Sequence, residues 1–140
     1  MSFSGGCLCG GIRFEVEPPT TWCAHCHCSL CRRAHGAGYV TWFGVARDRF
    51  LLDDSEQLLA WYRSTPGARR GFCSRCGSTL FFEGDRWPDE RHIVLAAMDG
   101  PIDREPQAHV FFDSGAPWIH VSDDLSKLGG VSGNEPLETA

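Results

Sequence analysis

The stretch Cys23-Ala-His-Cys-His-Cys-Ser-Leu-Cys-Arg-Arg33 gathers four of the chain's eight cysteines and two of its six histidines into eleven positions. Packing alone does not call for so many soft ligands side by side. Entering as an extended strand, it points Cys26 and Cys28 to one face and His27 to the other, because strand side chains alternate. Cys31, three residues on, swings back at the start of a short helix that stops at Gly36. Three thiolates so placed reach a common point about 2.3 Å from each sulfur, where a zinc ion fits with one tetrahedral corner open. An open corner separates a reactive zinc from a purely structural one. Cys23 or His25 is the alternative fourth ligand, which would close the site. Alternation puts both on the histidine side, so Cys23 reads as a buried thiol and His25 and His27 as packing or supporting residues.

Two cysteine pairs lie outside this stretch. Gly5-Gly-Cys-Leu-Cys-Gly-Gly11 puts Cys7 and Cys9 on one face between glycines that let the backbone turn around a ligand. Arg69-Arg-Gly-Phe-Cys-Ser-Arg-Cys-Gly77 reads as a zinc knuckle, with Gly77 taking the positive φ such a turn needs. The economical division joins Cys7, Cys9, Cys73 and Cys76 into a closed four-thiolate zinc and leaves the central stretch a second ion. A structural site of the first kind contributes on the order of 10 kcal/mol to folding. Four disulfides are the competing use of eight cysteines. The opening Met-Ser-Phe-Ser-Gly-Gly lacks a basic segment followed by an apolar run, so the expectation is a cytoplasmic, reducing location and metal ligation.

Around these clusters the pattern is β. Ile12–Val16 alternates apolar and charged residues, and Gly38–Val45 is aromatic and β-branched. Residues 50–52, 58–62, 79–82, 92–97 and 108–112 are further strand candidates, with turns at Asp53–Glu56, Ser64–Gly67 and Asp99–Pro101. These observations predict a mainly β fold of short antiparallel strands in two packed sheets. A single domain over residues 1–128 is expected, with residues 129–140, rich in glycine, as a flexible tail. The hydrophobic fraction of 42% and charged fraction of 22% fit a soluble globule, and no apolar run is long enough to span a membrane. Thirteen Lys and Arg against eighteen Asp and Glu give a net charge of −5, and thiolate sites deepen it. A nucleic-acid surface is therefore not expected.

Arg32 and Arg33 follow the last thiolate directly. They read either as a solvated helix face or as guanidinium forks that offset thiolate charge and bind a carboxylate of an incoming ligand. Arg70 and Arg75 carry the same ambiguity beside the knuckle. Trp42, Phe43, Trp61, Tyr62, Phe81 and Phe82 are core candidates, and Pro117–His120 is a candidate cap on the core. His109 and Trp118 either line a pocket or are interior residues.

Taken together, Gly-Gly-Cys7-x-Cys9-Gly, His25-Cys26-His27-Cys28-x-x-Cys31-Arg32, Arg70-Gly-Phe-Cys73-x-x-Cys76-Gly77 and Pro117-Trp118 resemble the glutathione-dependent formaldehyde-activating enzymes. The resemblance implies a β fold shared with methionine sulfoxide reductase B, a structural zinc on Cys7, Cys9, Cys73 and Cys76, and a catalytic zinc on Cys26, Cys28 and Cys31. It implies a carbon–sulfur lyase or synthase that takes glutathione as co-substrate and makes S-hydroxymethylglutathione with formaldehyde. Arg32 is the candidate for holding the glutathione. Expected partners are thus a small thiol and an aldehyde, neither nucleic acid nor membrane, and oligomeric state is open. The competing reading is a non-catalytic zinc module that binds a protein partner. A methionine sulfoxide reductase would need a reactive cysteine outside the metal sites, and only Cys23 is left over.

Overall fold

The structure is a computed structural model and describes residues 1–137. Its strands are β1 (Phe3–Gly6), β2 (Arg13–Val16), β3 (Trp22–Cys26), β4 (Val40–Ala46), β5 (Phe50–Asp53), β6 (Leu59–Thr65), β7 (Ala68–Cys73), β8 (Thr79–Gly84), β9 (Glu90–Val94), β10 (Ala108–Val110), β11 (Ser126–Gly129) and β12 (Glu135–Pro136). Among the described residues the α-helix is α1, the seven residues Ser29–His35. The fold is mainly β, with its strands in two sheets. The chain divides into two compact units, one of Met1–Trp22 with Phe43–Arg104 and the other of Cys23–Trp42 with the chain from Glu105 on.

In the first unit β1, β2 and β5 form an antiparallel three-stranded sheet. Ile12, Phe14 and Val16 are buried while Arg13 and Glu15 are not, so the alternation in sequence becomes a core face and a wet face. Phe14 meets Phe81 of β8 edge-on at 5.2 Å between centroids, and Phe50 meets the same ring at 5.4 Å. Those rings join the three-stranded sheet to the antiparallel run β9-β8-β7-β6. Gly5 lies inside β1 rather than in a turn. A Cβ there would come within 2.7 Å of Phe14 and 2.8 Å of the Ala97 carbonyl, so close packing explains this glycine.

In the second unit β10 pairs with β3 (Val110↔Cys26) and with β11 (Ala108↔Ser126), both parallel, where antiparallel pairing was expected throughout. The predicted strand over 108–112 stops at Val110 because Phe111 turns into the left-handed region, φ 49°. Residues 129–137, expected as tail, instead include β12, paired antiparallel with β11. The glycines there shape a tight return: Gly130 and Gly133 have φ of 76° and 79°, the Gly130 N–H donates to Asp113, and the Phe111 N–H donates to the Gly133 carbonyl. The rest of the expected tail, residues 138–140, lies outside the described residues.

Other departures are local. Residues 68–73, read only as an approach to the knuckle, form β7, and the expected strand over 92–97 gives way after Val94 to a 3₁₀ turn, Leu95–Ala97. Tyr62 is 67% exposed rather than core, and in the expected cap Pro117–His120 Trp118 is 65% exposed and Ile119 is half-buried. No helix among the described residues is long and apolar enough to cross a membrane.

Candidate functional site

The first cluster is built by two turns of the first unit. Cys7 and Cys9 sit in the β1–β2 connection, which Gly10 reverses at φ 79°. Cys73 ends β7, and Cys76 occupies the turn to β8, where Gly77, at φ 80°, donates its N–H to the Cys73 carbonyl at 2.8 Å. All four sulfurs lie within 4.8 Å of one another. Sulfurs 2.3 Å from a zinc at tetrahedral angles stand about 3.8 Å apart. Cys7 and Cys9 are 3.5 Å apart and Cys9 and Cys73 are 3.8 Å apart, so the set fits a zinc ion with every corner filled.

Burial pushes the Cys73 thiol up to about 11, whereas the surroundings of Cys9 and Cys76 favour thiolate. The Cys9 thiol is held below its ordinary range by the Gly11 N–H and by Arg75, whose Nε donates to Sγ at 3.3 Å while its Nη1 donates to Glu56 at 3.0 Å. Burial opposes ionisation of Cys76, but the Ser78 hydroxyl, with Oγ 3.2 Å from Sγ, and backbone N–H groups outweigh it and bring that thiol down to about 5. Arg70 does something different: it is buried with its guanidinium 5.2 Å from the centre of the Phe82 ring.

The second cluster belongs to the second unit. Cys26 ends β3, Cys28 is the N-cap of α1, and Cys31 lies in the first turn. The Cys28 sulfur accepts the Cys31 N–H at 3.2 Å, the job a Ser or Asp side chain usually does at a helix start. Capping and the gathering of the three thiols are thereby one geometry. Gly36, at φ 61°, ends the helix where expected. Cys26, Cys28 and Cys31 lie within 4.8 Å of one another, with the Cys26 and Cys31 sulfurs 3.5 Å apart. Both of those are buried and Cys28 is half-buried. Hydrogen bonds with Cys28 and Cys31, then burial, push the Cys26 thiol far above its ordinary range in the absence of an ion. The donor set fits zinc in its chemistry and spacing, with three protein ligands.

Cys23, 1% exposed, is not part of this group. His25 and His27 are not either: both rings contact His109, on the histidine side that alternation gave them. Burial pushes His27 down to about 4, and a proton on His109 or His25 would add to that push. Arg32 is half-buried with Nη2 donating to the Ser114 carbonyl at 3.3 Å, and Arg33 is exposed. The sequence reading missed Asp123, which binds His109, and the rings of Tyr39 and Phe112 around His27. An acidic residue in a loop gives no sign of which histidine it meets.

Fold and sites together define a class: a small, mainly β protein with one closed four-thiolate cluster and one three-thiolate cluster, each able to hold a metal ion. Residues 2–114 match the family model of the glutathione-dependent formaldehyde-activating enzymes. A protein of Halomonas elongata, provisionally named for the same family, is 30% identical over 128 residues, which cover 86% of this chain and 82% of that one. An uncharacterized lyase of Schizosaccharomyces pombe is 30% identical over 82 residues, covering 57% of this chain and 56% of its own. The crystal structure of a Rhodobacter sphaeroides protein superposes with a TM-score of 0.59 at 25% identity, covering 71% of this chain and 91% of that one. The chain belongs to the glutathione-dependent formaldehyde-activating enzyme family.

Proposed function

We propose that the chain is a zinc-dependent carbon–sulfur lyase that, in the synthetic direction, joins the thiol of glutathione to formaldehyde as S-hydroxymethylglutathione. The observation that carries this reading is the convergence of three cysteines, Cys26, Cys28 and Cys31, rather than four, with Cys28 partly open to solvent. The family's description and the lyase name of the yeast relative support it. Zinc held by these thiolates supplies a Lewis-acidic position that lowers the pKa of an incoming thiol.

The chain's own residues supply the rest. The β3 end and the first turn of α1 hold the three sulfurs in place, so no reorganisation is needed when substrate arrives. Arg32, one residue past Cys31, offers guanidinium donors to a carboxylate of glutathione. Holding thiol and aldehyde together turns a bimolecular encounter into a local one. The carbon–sulfur bond forms as the carbonyl π bond opens, and the proton lost by the thiol ends on the new hydroxyl. The lyase direction reverses both changes. Cys7, Cys9, Cys73 and Cys76, with four ligands, serve the fold.

Exchange spectroscopy on ¹³C-formaldehyde and glutathione tests this reading by measuring how fast S-hydroxymethylglutathione forms and breaks. The wild-type chain should raise both rates. Cys31→Ser should return them to those of protein-free solution while leaving the melting temperature nearly unchanged; unchanged exchange in that variant contradicts the assignment.

A further inference from the structure

His27 and His109 are each 1% exposed, and the reaction outlined above uses neither. They are joined: His27 Nε2 lies 2.8 Å from His109 Nδ1, and His109 Nε2 lies 3.0 Å from both carboxylate oxygens of Asp123. The hydrogen-bond pattern assigns the protons. An ionised carboxylate only accepts, and His109 holds the Asp123 carboxyl below its usual range, so His109 Nε2 carries a hydrogen. In the neutral ring Nδ1 is then an acceptor, and His27 must donate from Nε2. Asp123 thus fixes the tautomer of a ring it does not touch.

That ring stands between two of the three converging cysteines. Cys26 and Cys28 flank His27, and in extended backbone a side chain anchored on one face fixes its two neighbours on the other. The backbone anchor agrees: the His27 N–H donates to the Val110 carbonyl at 3.0 Å, beside the parallel pairing of β3 with β10. β10 is only three residues long, so few ladder bonds hold this register. Tyr39 stacks on His27 at 4.9 Å and Phe112 meets it edge-on at 5.0 Å, which leaves the ring one seat.

We propose that Asp123, acting through His109 and His27, is a positioning residue for the three-thiolate site, setting the Cys26–Cys28 segment in the geometry that holds zinc. The inference rests on the reading that those thiols bind zinc. Residues that orient metal ligands typically change affinity by tenfold or more when removed. Asp123 suits a test because its side chain is 40% exposed and its loss opens no core cavity.

The experiment compares zinc-loaded wild type, Asp123→Ala and Asp123→Glu by competition with a chromophoric chelator, together with ¹⁵N spectra of the histidine rings. Wild type should bind two zinc ions and show His27 protonated at Nε2 only. Asp123→Ala should hold the weaker ion at least about tenfold less tightly, leave the tighter one unchanged and mix the His27 tautomers, and Asp123→Glu should restore both. Equal affinity in Asp123→Ala and wild type, or a wild-type His27 protonated at Nδ1, overturns the inference alone. A wild type that binds a single zinc overturns the zinc reading and the inference with it.

Discussion

Arg32 and Arg75 are both arginines next to a cysteine ligand candidate in sequence, and their surroundings separate them. Arg75 donates directly to the Cys9 sulfur and is braced by Glu56, so it offsets charge on the closed site. Arg75→Ala should weaken zinc at that site about tenfold in chelator competition and leave the other ion alone. Arg32 instead donates to the Ser114 carbonyl. In the proposed reaction it meets a substrate carboxylate, and one charge-assisted hydrogen bond is worth about 1.5 kcal/mol. Arg32→Ala should therefore raise KM for glutathione roughly tenfold with little change for a small thiol that has no carboxylate. An equal effect on both thiols would assign Arg32 to α1 instead. The sequence left both arginines ambiguous because a guanidinium reaches several residues in any direction, and spacing does not say which way.

At the scale of elements, α1 shows how much the sequence could say. Cys31 swinging back toward Cys26 and Cys28, with a glycine five residues on, predicted a short helix stopping at Gly36, and it does; the Cys28 cap was not foreseen. Glycine is needed there for its left-handed φ of 61°, since open space surrounds a Cβ at that position. Gly36→Ala should cost about 1 kcal/mol in chemical denaturation, the strain of the backbone alone. Gly5→Ala should cost more, because its Cβ collides with Phe14 and with the Ala97 carbonyl. Glycine was also where the reading failed. Gly129, Gly130 and Gly133 signal chain flexibility and tight turning alike, and only their contacts with Asp113 and Phe111 decide for a β11–β12 return. β10 was read too long for a related reason: nothing in the identity of Phe111 announces a positive φ.

For the whole molecule, the thiol clusters were the most legible feature, because metal geometry ties residue type to spacing so strictly that the division into four and three could be made before any coordinates. The array behind His27 was not legible, since it depends on a loop aspartate meeting a strand histidine. The two clusters should differ in what they support. A four-thiolate zinc contributes on the order of 10 kcal/mol, as much as the net stability of a typical domain. Cys73→Ser, at a fully buried candidate ligand, should unfold the chain or lower its melting temperature sharply, whereas Cys31→Ser should not. Graded chelation should remove the ion with three protein ligands first, before any loss of the circular dichroism of the fold. The central claim is that Cys26, Cys28 and Cys31 hold a zinc ion that accepts a substrate thiol as its fourth ligand. X-ray absorption at the zinc edge, recorded while the zinc-loaded chain is titrated with glutathione, tests it most directly: the account predicts one further sulfur per chain in the zinc coordination shell, and a spectrum unchanged at saturating glutathione would contradict it.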